Sequence, residues 1–197
     1  MADLRSKIFA ALTGQQSADV SGKADGDLAG MLLAIGGPSS RTQSGIDLSK
    51  AASALNVSRR TVERWVRTAQ TGSGQRPSAA HATTLATRSR QAATTRAGRI
   101  TALGGRRQPL GPRGARVSVT GLQGPRAAGK GYLRQRMTQV DLDPADAQAM
   151  IDAWVAGGDK GFMTWARDHW DQEYVAGWDF SSIDQLDVQE PYGGSWR

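Results

Sequence analysis

Residues 48–67 read LSKAASALNVSRRTVERWVR. Leu48, Ala52 and Leu55 fall on one face of a helix, and Val62, Trp65 and Val66 on one face of the next. Asp47 precedes the first helix and Ser58 the second, each a residue type that caps a free backbone N–H. Asn56 tolerates the positive φ that a tight turn demands. Val57 plugs that turn into the core, and Ala52 is small where the helices cross. The pattern is a helix-turn-helix whose second helix runs from Arg59 to about Ala69. Its outward residues are Arg59, Arg60, Thr61, Arg64 and Arg67. On such a helix arginine can grip guanine with two hydrogen bonds and threonine can meet a thymine methyl. The competing account is a helical hairpin with a solvated basic face.

The surrounding charge favours the first account. Residues 58–136 hold seventeen Lys/Arg and a single acid, Glu63. Residues 1–57 balance five bases against five acids, and residues 137–197 hold three bases against twelve acids. A field of that density attracts a polyanion, so nucleic acid is the implied partner, contacted through Ser58, Arg59, Arg60, Thr61, Arg64 and Arg67. The acidic block serves some other contact.

Working outward, Leu4, Ile8, Phe9 and Leu12 predict a short helix ended after Gly14, and Leu28, Met31, Leu32 and Ile35 a second ended at 36–38. With the helix-turn-helix they define a first domain over residues 1–70. Residues 71–115 are rich in Thr, Ala, Arg and Gly, with few large apolar residues besides Leu85, Ile100 and Leu103. They read as a basic, partly helical arm of weak intrinsic order that binds phosphates without reading sequence. Its alternative is a solubilising linker, which the near-absence of acids opposes. The stretch 108–116, QPLGPRGAR, marks a boundary.

Residues 116–197 form a small α+β module, acidic from 137. RVSVT at 116–120 and MTQVDL at 137–142 alternate as strands. Asp143-Pro144 opens a helix with Ala147, Met150, Ile151, Trp154 and Val155 on one face. Gly157-Gly158 breaks it, and Asp159 starts another carrying Phe162, Trp165, Ala166, His169 and Trp170. Residues 183–188 read as a strand or extended tail. The fold class is therefore mainly α with an α+β C-terminal part.

Several chemistries are excluded or weak. The 197 residues include no cysteine, and only His81 and His169 among histidines, so disulfides, Cys-based zinc sites and a metal-centred enzyme are not expected. Gly124 to Gly131, GPRAAGKG, copies phosphate-loop spacing but puts Gly131 where a magnesium-binding Ser/Thr belongs. A flexible basic loop touching phosphate is the better account, with a small ATPase as the minor alternative. Asp141 and Asp143 could flank a metal, but no third carboxylate joins them. The tryptophans could stack bases, yet they sit at core spacing in an acidic module. MADLRSKIFAALTG lacks a signal-peptide apolar run and no stretch could span a bilayer, so a soluble, cytoplasmic chain is expected.

LNVSRRTVERWVR resembles the corresponding stretch of the telomere terminal proteins of linear actinomycete chromosomes and plasmids. The likeness continues through LAGMLLAIGG ahead of it, the basic stretch behind it, VSVTG, MTQVDLDP and SSIDQLDVQE, covering roughly residues 25–190. The resemblance implies protein-primed DNA synthesis at a linear end, on a single-stranded overhang or duplex, in the nucleoid or on a plasmid. Its partners would be a telomere-binding protein and a DNA polymerase. The chain would be no enzyme and would hold no cofactor of its own, since Mg²⁺ would belong to the polymerase. It would offer a hydroxyl that accepts the first deoxynucleotide. The family's threonine aligns at or near Lys130, so no residue transfers directly. Tyr132 is the first candidate, between Gly131 and Arg134, with Thr120 and Ser118 behind it. An aromatic anchor is the other reading of Tyr132. The acidic, Trp-rich module would dock a partner or a second copy of the chain. The rival reading is a helix-turn-helix regulator of a mobile element that binds DNA without a covalent bond.

Overall fold

The computed structural model describes residues 3–104, 113–127 and 130–190, with backbone alone for residues 127, 130 and 131. The chain forms two compact units, Met1–Arg107 and Gln108–Arg197.

The first unit contains α1 (Leu4–Thr13), α2 (Leu28–Gly36), α3 (Leu48–Leu55), α4 (Arg59–Thr71), α5 (Ala79–Thr94) and α6 (Arg96–Leu103). Every one of these helices starts on a side chain that accepts a backbone N–H: Asp3, Asp27, Asp47, Ser58, Ser78 and Thr95. Such caps contribute about 1 kcal/mol each and let short helices begin at defined residues. α2 to α5 surround one core, built from Met31, Leu32, Leu48, Leu55, Val62, Trp65, Val66 and Leu85. α1 buries Ile8, Phe9 and Leu12 and packs against α6.

The basic stretch departs from expectation. Residues 79–103 are two helices of the first unit rather than a weakly ordered arm, and the unit extends to Arg107 instead of ending near residue 70. The physical reason is that α5 supplies part of the core. Leu85 is fully buried with Ala86 beside it, and full burial of a leucine stabilises by roughly 1.5–3 kcal/mol. Small residues let α5 come close, so one leucine suffices. Arg99 is buried and donates to the Ala93 carbonyl at 3.0 Å, so this arginine is part of the fold. The expected boundary at 108–116 lies mostly outside the described residues.

The second unit is an antiparallel sheet covered by a long helix. β1 (Ala115–Ala127) is its axis. β2 (Lys130–Gly131) and β3 (Arg134–Leu142) run back along one flank of β1 in a single register. β4 (Trp178–Phe180) and β5 (Gln185–Gln189) take the other flank, against residues 123–125 and 116–120. Between β4 and β5 the chain leaves the ladder. There Gly121 admits the Ser182 carbonyl so closely that a Cβ would collide with it. Val117 faces Val140 and Val188, and Val119 faces Thr138 and Leu186, which places the apolar side of three strands together.

α7 (Pro144–Glu173) covers that side. Asp143 caps it through the N–H groups of Ala145 and Asp146, both at 2.8 Å. At Gly158 the backbone turns to φ 61°, ψ −145°, a conformation that glycine adopts without the Cβ clash of other residues. The helix is thereby split into halves 144–157 and 159–173, as the Gly157-Gly158 pair predicts. Trp154 and Trp170 are fully buried. Trp170 Nε1 donates to Thr138 Oγ1 at 2.9 Å, and that hydroxyl donates to Gln123 Oε1 at 2.9 Å. Gln123 Nε2 in turn donates to the Val119 and Arg136 carbonyls, so the buried polar chain is satisfied. Past α7, the Tyr174 hydroxyl donates to the Gln139 carbonyl at 2.8 Å and accepts from the Gln139 N–H at 3.1 Å.

The architecture is therefore mixed α and β, with seven helices and one antiparallel sheet among the described residues. No described helix is long and apolar enough to cross a membrane.

Candidate nucleic-acid interface

α3 and α4 are joined by residues 56–58. Asn56 has φ 53°, the one positive φ outside glycine among the described residues, and the Val57 N–H donates to the Ala52 carbonyl at 3.1 Å. Ser58 Oγ accepts the Thr61 N–H at 3.1 Å and lies 2.8 Å from Thr61 Oγ1. Val62, Trp65 and Val66 are buried beneath α4, while Arg59, Arg60, Arg64 and Arg67 are exposed and Thr61 is half-buried. All six residues expected to meet nucleic acid thus lie on one solvent-facing stretch.

The charge placement is informative. A helix N-terminus favours acids, and arginines there oppose the helix dipole by about 0.3–1 kcal/mol each. α4 nevertheless begins Arg59-Arg60, with no acid in its first turn. Among the described residues the one ion pair at this end is Arg59 Nε to Glu63 Oε1 at 3.1 Å, an exposed i,i+4 pair contributing about 0.3–0.5 kcal/mol. Two cations in the first turn, with no acid beside them there, suit an external anion better than they suit the fold.

Two features are not legible in the sequence. Arg64 Nη1 donates to Gln75 Oε1 at 2.9 Å, and Thr68 Oγ1 lies 3.1 Å from the Gln75 carbonyl, so the chain after α4 folds back and steadies Arg64. Arg41, in the loop before α3, joins Arg59 and Arg67 around a groove of about 360 Å³ that also touches Glu63 and Gln70. Loop residues carry no periodic signal, so Arg41 could not have been found from spacing. Among the described residues, Arg60 and Arg67 form no ion pair with an acid of the chain.

The candidate hydroxyls lie in the second unit. Tyr132 is 54% exposed just after β2, and its N–H donates to the Pro125 carbonyl at 3.0 Å. Arg134 beside it is exposed, whereas Arg136 is half-buried with its guanidinium 5.7 Å from the Trp178 ring centroid. Ser118 and Thr120 are half-buried on the face of β1 opposite the core, with Gln139 and Met137 as their β3 neighbours. Thr138 is engaged in the buried polar chain described above.

Two sequence patterns resolve into structural roles. Gly124 and Pro125 lie in β1, and Lys130–Gly131 pairs back on it as β2, so the GPRAAGKG spacing belongs to a hairpin. A phosphate loop needs a strand leading directly into a helix, and this segment has none; residues 128–129 lie outside the described residues. Asp141 is held by Arg116 through bonds of 2.6 and 2.8 Å, and that guanidinium keeps its carboxyl below the usual range. Asp143 is the α7 cap. Among the described residues no cluster of His, Asp or Glu could hold a metal.

No family model, curated protein or solved structure matches this chain.

Proposed function

We propose that the chain is a DNA-binding terminal protein. In this reading α3 and α4 are a helix-turn-helix, and α4 enters the major groove with Arg60, Thr61 and Arg64 toward base edges. Arg59, Arg67 and Arg41 hold flanking phosphates. The observation that carries it is the pair of arginines at the α4 N-terminus, unfavourable for the fold and favourable for a bound polyanion.

The priming step follows from the resemblance of residues 25–190 to terminal proteins and needs little from the chain itself. A hydroxyl oxygen, first that of Tyr132, attacks the α-phosphate of a deoxynucleoside triphosphate. A phosphoester forms, pyrophosphate leaves, and the hydroxyl proton passes to a base of the polymerase, whose Mg²⁺ ions neutralise the developing charge. The protein contributes position. Exposure of Tyr132 and Arg134 supports access by a polymerase. The acidic second unit supplies a docking surface for the polymerase, a telomere-binding protein or a second copy.

The test is incubation with labelled deoxynucleotide, linear-end DNA and the host polymerase, followed by denaturation and nuclease digestion. Label should survive on the protein and disappear in Tyr132→Phe, or in Thr120→Val or Ser118→Ala if those oxygens are used. Specific DNA retention without any label, where a known terminal protein is labelled, would replace this reading by the non-covalent regulator.

A further inference from the structure

Gln75 stands eleven residues beyond Arg64, yet the two side chains meet: Arg64 Nη1 donates to Gln75 Oε1 at 2.9 Å. The chain reaches that position through a built turn. Gly72 closes α4 at φ 70°, and its N–H donates to the Thr68 carbonyl at 2.9 Å. Gly74 follows at φ 125°, where a Cβ would lie 2.7 Å from Thr68 Oγ1, so the turn requires glycine there. Thr68 is buried, and its hydroxyl oxygen lies 2.9 Å from the Arg64 carbonyl and 3.1 Å from that of Gln75. One enclosed hydroxyl thus ties the main chains of the two residues whose side chains touch. Thr71 Oγ1 makes a similar tie between the Arg67 and Ser73 carbonyls, at 2.9 and 3.0 Å.

The chemistry of the contact says what it is for. An acid at position 75 would neutralise Arg64, as Glu63 does for Arg59; an amide holds the guanidinium and leaves its charge intact. A guanidinium has five N–H donors. In Arg64 the Nε–H faces the Arg60 carbonyl at 3.4 Å and one Nη1–H is taken by Gln75, which leaves three, on Nη1 and Nη2, for a partner outside the chain. An exposed arginine otherwise samples many rotamers, and one aimed beforehand is spared that ordering cost on binding. Guanine is the base with two acceptors, O6 and N7, side by side in the major groove, the match for an aimed fork. We propose that Gln75 is a positioning residue. It presents the Arg64 guanidinium to the O6/N7 edge of a guanine in duplex DNA and so sets the base selected at one position. The inference rests on α4 being the helix that enters the major groove.

The experiment selects bound sequences from a randomised duplex pool with the full chain, then measures affinity for the enriched site and for its single-base changes. The wild type should enrich a guanine that Arg64→Ala no longer requires, and replacing that guanine should weaken wild-type binding about ten- to a hundredfold. Gln75→Leu should lose most of this discrimination, about tenfold. Its salt slope and melting temperature should not move, because no phosphate contact is lost and the side chain is exposed. Gln75→Glu keeps an acceptor within reach of Arg64, so it should retain the guanine preference while weakening every duplex alike. A turn that merely ends α4 gives a different pattern: a lower melting temperature in Gln75→Leu with base discrimination intact, which overturns the proposal. So does an Arg64-dependent guanine that Gln75→Leu still demands, or a selected site in which no guanine depends on Arg64. If Arg64→Ala, and Arg60→Glu with Arg64→Glu, leave every duplex bound as before, α4 is not the reading helix, and the inference falls together with that reading instead of alone.

Discussion

The two units treat arginine in opposite ways. On α4, Arg60 and Arg67 project to solvent without an acidic partner among the described residues, and Arg59 has only one exposed glutamate. In the sheet unit, Arg116 grips Asp141, while Arg126 and Arg167 share the mostly buried Asp179 at 2.6 and 2.9 Å. Arg136 lies over Trp178. The basic block 58–136 and the acidic block 137–197 are continuous in sequence but partly cancel inside the second unit. Net charge along a sequence therefore overstates the charge offered to a partner. What matters is which cations the fold leaves without an acid, and among the described residues Arg60 and Arg67 on α4 are two of them.

The contrast can be broken first at the core. Leu85→Ala should cost about 2–5 kcal/mol in chemical denaturation, because it empties a fully buried site. A change below about 0.5 kcal/mol, the usual size at a surface, would mean that α5 is an appendage after all. Charge reversal tests the unused cations. Arg60→Glu with Arg64→Glu should lower duplex affinity by about ten- to a hundredfold. It should also flatten the salt dependence, by about 0.9 in slope for each phosphate no longer neutralised. The melting temperature should scarcely move. A large thermal loss with intact DNA retention would make these residues structural.

Smaller effects sharpen the contrast. Ser58→Ala removes the α4 cap and should cost about 1 kcal/mol, with Ser58→Gly costing only a few tenths. Denaturant midpoints of the two variants check the order. Asp141→Asn probes the paired arginines. The folded carboxyl is held below its ordinary range by Arg116, so its stabilisation is present above the unfolded pKa and is lost as pH falls through the folded one. Both side chains are partly exposed, so the gain at neutral pH stays below about 1 kcal/mol, and wild type and variant should converge in strong acid.

Legibility followed the strength of local signals. α1 to α4 and both halves of α7 could be read because large apolar residues recur at helical spacing, with Asp47, Ser58 and Asp143 marking the starts of α3, α4 and α7. α5 was hidden because its inner face is mostly Ala and Ser with a single leucine, which looks like a solvated segment until a partner packs on it. β4 is three residues long and exists only through pairing with β1, so no local pattern announces it. GPRAAGKG read as a flexible basic loop rather than a phosphate cradle, and the pairing of β2 on β1 shows glycine and proline serving a hairpin instead. The α4 cations were visible from spacing, whereas the place of Arg41 in the groove and the hold of Gln75 on Arg64 depend on separate segments coming together.

Tyr174 has a consequence for assembly. Among the described residues β3 pairs with β1 alone, so its outer side is the margin where a foreign strand would add. The phenol occupies both backbone groups of Gln139 in the middle of that margin, and an incoming chain would have to evict it before zipping along. A second copy is thereby steered away from continuous sheet-to-sheet fusion, and Tyr174 acts as a guard against aggregation.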